Sequence, residues 1–343
     1  VVTDRVEVEL VAVVKSLAAD RVFVLVDDDT AEFCLSKVDL SEFNPCVIKI
    51  EAGDDLKSID TAVDIWNVLV DNGATRSSLL INLGGGMVTD LGGFAAATFK
   101  RGMRFVNVPT TLLGVVDAAT GGKTGVNFRG LKNEIGVFAK PEKVLIDTRF
   151  FETLDFNNRL SGYAEMVKHA LIADSILLEQ TLAYDLDEFD GGRLSLLLKQ
   201  NLDIKETIVE FDPQEKGQRK ALNFGHTVGH AFESLSYEIG VPMLHGFAVM
   251  WGMVAELYLS VVKMGLDKEV LRQMSSVMLA YYGRPECNCK DRERLVEWMM
   301  KDKKNRVAGE INFTLLRGIG DGVWNQIVSS EELDEALEYL FSL

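Results

Sequence analysis

The chain has 343 residues, 47% of them hydrophobic and 26% charged, with a formal net charge of −16. These proportions are ordinary for a soluble globular protein, and the length suffices for two domains because single cores rarely exceed about 250–300 residues. The negative charge offers no general attraction to phosphate backbones or acidic membranes, so we expect neither a nucleic-acid nor a membrane partner. An anionic substrate would need a local basic pocket.

The N-terminal stretch VVTDRVEVELVAVV alternates in the manner of a β-strand and contains neither a basic leader nor a cleavage site. We therefore expect a strand and no targeting segment. Cys34 and Cys46 are isolated, and Cys287 and Cys289 are separated by one residue, which fits no usual zinc spacing. Reduced thiols of this kind are typical of a cytoplasmic protein, the location that we expect.

Short β-branched runs recur through the first half of the chain, at residues 21–26, 46–50, 78–83, 104–108 and 143–147. Segments with helical spacing of apolar residues separate them, among them SIDTAVDIWNVLVDNGA and MVTDLGGFAAATFKR. Strands that alternate with helices predict a parallel sheet with crossover helices. We expect a Rossmann-like α/β domain over residues 1–158.

The second half has almost continuous helical spacing, beginning with LSGYAEMVKHALIADSILLEQ. We expect a mainly α-helical domain over residues 159–343. Its most apolar run, FAVMWGMVAELYLSVV, is interrupted by Glu256 and is shorter than the ~18 or more residues of a membrane-spanning helix. The run therefore predicts a buried helix of a soluble protein.

Three of the four histidines lie within twenty residues of one another. His226 and His230 would share one helical face one turn apart, and His245 follows in PMLHGFAVM. Imidazoles clustered in this way are typical of a metal site, which would require a further ligand. The alternative is a set of hydrogen-bonded, inert core histidines. Spacing alone selects no carboxylate ligand.

Two glycine-rich stretches point to bound anions. LGGGMVTD lies between a predicted strand and a predicted helix, where backbone amides can approach a pyrophosphate, although Thr89 stands where the dinucleotide fingerprint has its last glycine. TGGKTGVN presents Lys123 between glycines. A tight turn and a solvated loop lysine are the respective alternatives. Lys168, Lys205 and Arg219 could form a basic pocket, or lie separately on the surface.

In this order, these stretches resemble the 3-dehydroquinate synthase family of sugar-phosphate cyclases. The resemblance covers most of residues 50–320 and runs through GGGMVTDLGGFAAATFKRGMRFVNVPTTLLGVVDAATGGKTGVN, SGYAEMVKHALI, EKGQRKALNFGHTVGHAFE, LHGFAVMWGM and KDKKN. It implies a dinucleotide-binding α/β domain, a helical domain and an active site in the cleft between them. It also implies bound NAD, one divalent metal ion (zinc or cobalt), a sugar-phosphate substrate and a homodimer.

The resemblance assigns a role to each matching position. The implied metal ligands are Glu165, His226 and His245, and the implied catalytic residues are Lys123, Glu215 and His230. NAD contacts fall on Asp54, Lys57, Gly86, Met87, Val88, Thr89, Asp90, Thr110, Thr111 and Lys132. Substrate contacts fall on Arg101, Asp117, Lys123, Asn133, Lys168, Lys205, Arg219 and Asn223, with Lys303 or Lys304 nearby. Asp54 replaces the family's glutamate and Leu131 a frequent glycine, which affects local cofactor contacts only.

The family reaction converts 3-deoxy-D-arabino-heptulosonate 7-phosphate to 3-dehydroquinate and phosphate, in the shikimate pathway to aromatic amino acids. The steps are oxidation by NAD, elimination of phosphate, reduction, ring opening and an intramolecular aldol reaction. Two alternatives stay open: a sibling cyclase that acts on a sugar phosphate without a carboxylate, and a metal-dependent polyol dehydrogenase that releases NADH.

Overall fold

The computed structural model describes residues 1–119, 121–129, 131–286, 289–301, 305 and 310–343. The chain divides into two compact units. The first comprises Val1–Gly162 with Phe189–Lys199, and the second comprises Tyr163–Glu188 with Gln200–Leu343.

The first unit contains most of the strands. These are β1 (Val2–Thr3), β2 (Val22–Asp27), β3 (Cys46–Ile50), β4 (Leu79–Gly84), β5 (Arg104–Pro109), β6 (Lys123–Phe128), β7 (Leu131–Phe138), β8 (Lys143–Val144) and β9 (Ile146–Asp147). Its first helices are α1 (Val6–Leu17), α2 (Asp28–Phe33), α3 (Ile59–Asp71) and α4 (Gly86–Thr98). Short 3-10 turns and one π-helical turn, Gly114–Ala118, connect them.

A five-stranded parallel sheet in the order β3-β2-β4-β5-β8 confirms the expected α/β fold. Strands β2 and β4 are buried along nearly their whole length, as in a parallel sheet covered on both faces. The last predicted strand is split, because only β8 joins this sheet while β9 pairs with β1. One core cluster joins strand residues Leu25, Leu80 and Phe105 to Ile65 of α3 and Leu91 of α4.

The N-terminal segment is a helix and not the strand that its alternation predicts. Only β1 is extended there, and α1 begins at Val6. This helix buries Val6, Leu10, Val13 and Val14, which have the spacing of one helical face. The prediction was wrong because the strand preference of β-branched residues is weak and packing of a helical face overrides it.

The second half of the chain is mainly helical, as expected. Its helices are α5 (Phe156–Ala173), α6 (Ser175–Leu182), α7 (Gly191–Phe211), α8 (His226–Glu238), α9 (His245–Met264), α10 (Lys268–Tyr281), α11 (Cys289–Met300) and α12 (Ser330–Ser342), and its strands are β10 (Asn312–Gly318) and β11 (Asp321–Ile327). Two antiparallel hairpins, β6–β7 and β10–β11, were not predicted. Both contain internal glycines and register shifts, which blur the period-two pattern of a strand.

Helix α9 is the buried helix that the long apolar run predicts. Among the helices described, it is the one that is long and apolar enough to span a membrane by length and composition. However, 67% of its 18-residue apolar window is buried within the fold, as in the core helix of a soluble protein. Glu256, near its middle, is fully buried.

Candidate active site

Two histidines stand at the first positions of successive helices in the second unit. His226 begins α8, His245 begins α9, and Glu165 lies on α5. The Glu165 Oε1 atom is 3.5 Å from His226 Nε2 and 3.7 Å from His245 Nε2. One ligand atom from each residue falls within 4.8 Å of the other two. The structure therefore brings together the three side chains that the resemblance assigns to a metal ion.

The chemistry of this group fits a divalent ion. Glu165 Oε1 and His245 Nε2 are buried polar atoms without a hydrogen-bond partner, an arrangement that costs free energy unless something binds there. The second ring nitrogens are occupied: His226 Nδ1 lies 3.1 Å from the Phe224 carbonyl oxygen and His245 Nδ1 lies 3.3 Å from Glu233 Oε2. Such contacts fix the tautomer that directs Nε2 towards a metal.

A second group of potential ligands, His230, Glu233 and His245, shares one member with the first. His245 Nδ1 is already the partner of Glu233, whereas its Nε2 has none. The group of Glu165, His226 and His245 therefore has ligand atoms without hydrogen-bond partners, whereas Glu233 already contacts His245 Nδ1. His230 lies one turn along α8, with its ring centroid 5.2 Å from that of His226.

The surroundings of the group favour the deprotonated forms of Glu165 and His226, which are the forms that bind a cation. Burial raises the pKa of Glu165, but the adjacent ammonium of Lys168 and the ring of His226 outweigh it and hold that pKa well below its usual range. Burial and Lys168 lower the pKa of His226 well below its ordinary value. Burial also lowers the pKa of His245, but Glu233 and Glu165 together raise it to about 10. Without an ion, His245 is thus the ligand that holds a proton at neutral pH.

The predicted substrate cations of the second unit are buried. Lys168 is 2% exposed, and Lys205 and Arg219 are each 4% exposed. Long cationic side chains are seldom buried unless they are paired or functional. Their burial excludes the alternative in which they lie separately on the surface.

Glu215, implied as an acid–base group, lies close to another predicted residue. Its backbone is left-handed, with φ of 57°, which is uncommon for a residue with a side chain. Asn223 Nδ2 donates to Glu215 Oε1 at 2.7 Å, so the structure brings these two predicted residues into contact.

The glycine-rich turn of the first unit lies between β4 and α4, as predicted. Gly85 is the N-cap of α4 and makes no side-chain capping bond. The N-terminus of such a helix favours an anion, and the predicted contacts Gly86 to Asp90 form its first turn. A side chain on Gly85 would lie 3.1 Å from Thr111 Cγ2, so the absence of one allows the close approach of these two segments. Thr110 is buried and directly follows β5.

A lysine connects two of the predicted contact sets. Lys57 Nζ donates to Asp90 Oδ2 and to Asn133 Oδ1, both at 2.6 Å. Lys132 Nζ lies 3.0 Å from Asp54 Oδ2. The structure thus brings the predicted NAD contacts together and places the predicted substrate contact Asn133 beside them.

Sequence reasoning missed Asn127, the last residue of TGGKTGVN. Its side chain donates to the Asp54 carbonyl oxygen at 2.8 Å and accepts from the Asn133 backbone N–H at 3.0 Å. Its own N–H donates to the Lys57 carbonyl oxygen at 2.7 Å. The sequence signal for Asn127 was its position inside a glycine-rich motif, but Lys123 was the residue of that motif selected as a candidate.

The remaining predicted residues lie as follows. Arg101 is exposed with φ of 66°, Asp117 is partly buried in the π-helical turn, and Lys123 is exposed at the start of β6. Lys303 and Lys304 lie outside the described residues.

Comparison with known proteins identifies solved structures that share this fold. The solved 2-deoxy-scyllo-inosose synthase, in complex with carbaglucose-6-phosphate, NAD+ and Co2+, superposes with a TM-score of 0.85 over 98% of this chain and 95% of its own, at 20% identity. The solved 2-epi-5-epi-valiolone synthase of Streptomyces hygroscopicus subsp. jinggangensis, with NAD+ and Zn2+ bound, gives a TM-score of 0.83 over 99% and 95%, at 26% identity.

Sequence comparison gives a narrower result. The 3-dehydroquinate synthase of Parabacteroides distasonis is 49% identical over 333 residues, which are 96% of this chain and 94% of that relative. Residues 47–161 match the family described as 3-dehydroquinate synthase N-terminal, and residues 162–305 match 3-dehydroquinate synthase C-terminal. The chain therefore belongs to the 3-dehydroquinate synthase family.

Proposed function

We propose that this protein is a 3-dehydroquinate synthase, the carbon–oxygen lyase that converts 3-deoxy-D-arabino-heptulosonate 7-phosphate to 3-dehydroquinate and phosphate. The observation that carries the proposal is the group of Glu165, His226 and His245, the first two of them buried, beside the buried Lys168 in a chain of this family. A carboxylate and two imidazoles form a three-ligand set that leaves a further coordination position for substrate.

The cofactors are NAD and one divalent metal ion, zinc or cobalt, as the solved valiolone synthase with NAD+ and Zn2+ supports. When bound, NAD supplies a hydride acceptor that the reaction regenerates, and the ion supplies a Lewis acid for an alcohol oxygen. Glu165, His226 and His245 would hold the ion. Replacing His245 with Ala should lower the bound metal towards zero, and a variant that keeps a full equivalent would contradict the assignment.

The first unit supplies the groups that we assign to NAD. The uncapped start of α4 offers backbone N–H groups to the pyrophosphate. Lys57 and Lys132 provide two cations, which are paired with Asp90 and Asp54 respectively. These roles fit the fold, in which a dinucleotide binds where a parallel strand ends and a helix begins.

Cations of the second unit suit a substrate that carries both a phosphate and a carboxylate. Lys168, Lys205 and Arg219 are buried, so their attraction to an anion is little screened by water. We assign them to substrate binding and assign proton transfer to Glu215 and His230. The contact from Asn223 holds the Glu215 carboxylate in place for that role.

The substrate carboxylate separates this function from that of a sibling cyclase. Donors arranged for that carboxylate would be left unpaired around a sugar phosphate that lacks it, at a cost of ~1–3 kcal/mol each. With zinc and catalytic amounts of NAD, the purified protein should release phosphate from the heptulosonate 7-phosphate and little or none from sedoheptulose 7-phosphate. Comparable turnover of both sugars would favour a sibling cyclase, and NADH accumulating in proportion to product would favour a dehydrogenase.

The resemblance also favours a cytoplasmic homodimer. Light scattering coupled to size-exclusion chromatography tests the dimer directly, and a monomer would contradict that part of the proposal.

A further inference from the structure

The most apolar helix of the second unit buries a carboxylate. Glu256 lies near the middle of α9 and its side chain is 0% exposed. Its Oε2 accepts from the Gly225 N–H at 2.7 Å, and its Oε1 accepts from the N–H groups of Thr227 at 3.0 Å and Val228 at 3.3 Å. Burying a charge is costly, and charge-assisted bonds to backbone N–H groups offset that cost. The carboxylate is therefore held in one specific place.

These three donors belong to the start of α8, where a helix leaves its first N–H groups without intrahelical partners. The N-cap residue is Gly225, with φ of 79° and no side chain that could cap the helix. Glu256 supplies that cap from α9, with its negative charge at the positive end of the α8 dipole.

The capped groups lie on both sides of a metal ligand. Since the residues before and after His226 are both bonded to Glu256, the backbone of His226 cannot shift independently of α9. With the backbone fixed, the contact between His226 Nδ1 and the Phe224 carbonyl oxygen leaves Nε2 3.5 Å from Glu165 Oε1.

Helix α9 also provides a ligand of its own. His245 is its first residue and precedes Glu256 by about three turns, so both side chains leave the same helical face. We propose that Glu256 is a positioning residue, which sets His226 at the correct distance from Glu165 and His245 for the metal ion. This inference rests on the metal site of the proposed function.

The test compares the zinc affinity of Glu256→Gln with that of Ser260→Ala, measured by chelator competition. An amide keeps the size of the carboxylate but turns an N–H group towards some of the backbone donors of α8. Ser260 lies one turn further along α9, where its hydroxyl donates to the Glu256 carbonyl oxygen and accepts from the Leu316 N–H. Its removal should lower stability without touching the start of α8.

We expect the zinc dissociation constant of Glu256→Gln to rise about 10–100-fold, the range seen when partners of metal ligands are removed. The visible spectrum of the cobalt-substituted variant should change as well, while Ser260→Ala keeps wild-type affinity and spectrum. Wild-type affinity and an unchanged cobalt spectrum in Glu256→Gln would overturn the inference.

Two further measurements keep the outcomes separate. If Glu256→Gln does not fold, Glu256→Asp decides, because it keeps the charge but reaches one methylene less far. Zinc binding by Glu256→Asp that is weaker than in Ser260→Ala supports the inference, and equal binding overturns it. A wild-type protein that binds no zinc would instead refute the proposed metal site itself.

Discussion

The packing of α8 against α9 gives the most direct structural prediction, the effect of Gly252→Ala. A Cβ atom at Gly252 would lie 2.0 Å from the Gly225 carbonyl oxygen and 2.7 Å from the Gly229 nitrogen. Both are backbone atoms of α8 and its N-cap, so no side chain can move aside. The two helices would have to part by about 1 Å or more to restore ordinary contact. Overpacking of this kind costs about 1–3 kcal/mol of unfolding free energy.

The same displacement should weaken metal binding. His226 begins α8 and His245 begins α9, and metal–ligand distances tolerate only about 0.2 Å of change. We therefore expect Gly252→Ala to lose zinc affinity by at least roughly tenfold, in addition to its loss of stability. Denaturant unfolding of the zinc-free protein and chelator competition measure the two effects separately.

Gly318→Ala is the matched control, because nothing lies within 4 Å of a Cβ atom added there. Its unfolding free energy should stay within about 0.5 kcal/mol of the wild type, as for most unconstrained surface changes. If Gly252→Ala behaved like this control in both stability and zinc affinity, the close approach of α8 and α9 would not be what fixes the ligands.

Three further predictions test the charged groups. Zinc binding at pH 7 should release about one proton. Zinc binds only the neutral imidazole, whereas Glu233, against the opposing effect of burial, helps to raise the pKa of His245 to about 10. Calorimetry in buffers of different ionisation enthalpy should show that Glu233→Gln releases fewer protons when it binds zinc. Arg219→Ala should raise the KM for the heptulosonate phosphate roughly tenfold or more in steady-state assays, since it removes a buried charged donor. Lys57→Met should destabilise the first unit by about 3–5 kcal/mol by leaving the carboxylate of Asp90 without its ion pair, and urea unfolding should show part of that loss recovered when Asp90→Asn is added.

The sequence was sufficient to predict the parallel sheet because its central strands, β2, β4 and β5, are buried along nearly their whole length. Runs such as residues 21–26 and 78–83 are then mostly apolar, and such runs are conspicuous in a sequence. The same reasoning failed for the N-terminal segment, where it predicted a strand instead of a helix. Valines and glutamates can alternate in sequence and still place Val6 and Leu10 on one helical face. Local preference decides little where tertiary packing provides the stability.

Reasoning from the residues alone identified the histidines of the site but not the carboxylates that lie near them. Two imidazoles four residues apart form a recognisable pattern, whereas the choice of Glu165 among many acidic residues came from the family resemblance. Glu233 and Glu256 carry no sequence signal of their own, because one carboxylate on a helix has no periodicity. Their contacts depend on how α8 and α9 pack, which becomes visible only in three dimensions.

Charge balance explains why so many acidic groups lie close to these histidines. With both imidazoles neutral, the carboxylates of Glu165, Glu233 and Glu256 and the ammonium of Lys168 carry a net charge of −2 among them when all are ionised. A divalent ion brings this buried set to neutrality, which an environment of low dielectric constant strongly favours. Without an ion, the proton that His245 retains supplies half of that compensation. Within this set of four groups, a singly charged ion would leave one buried charge uncompensated, so their charge balance favours a doubly charged cation.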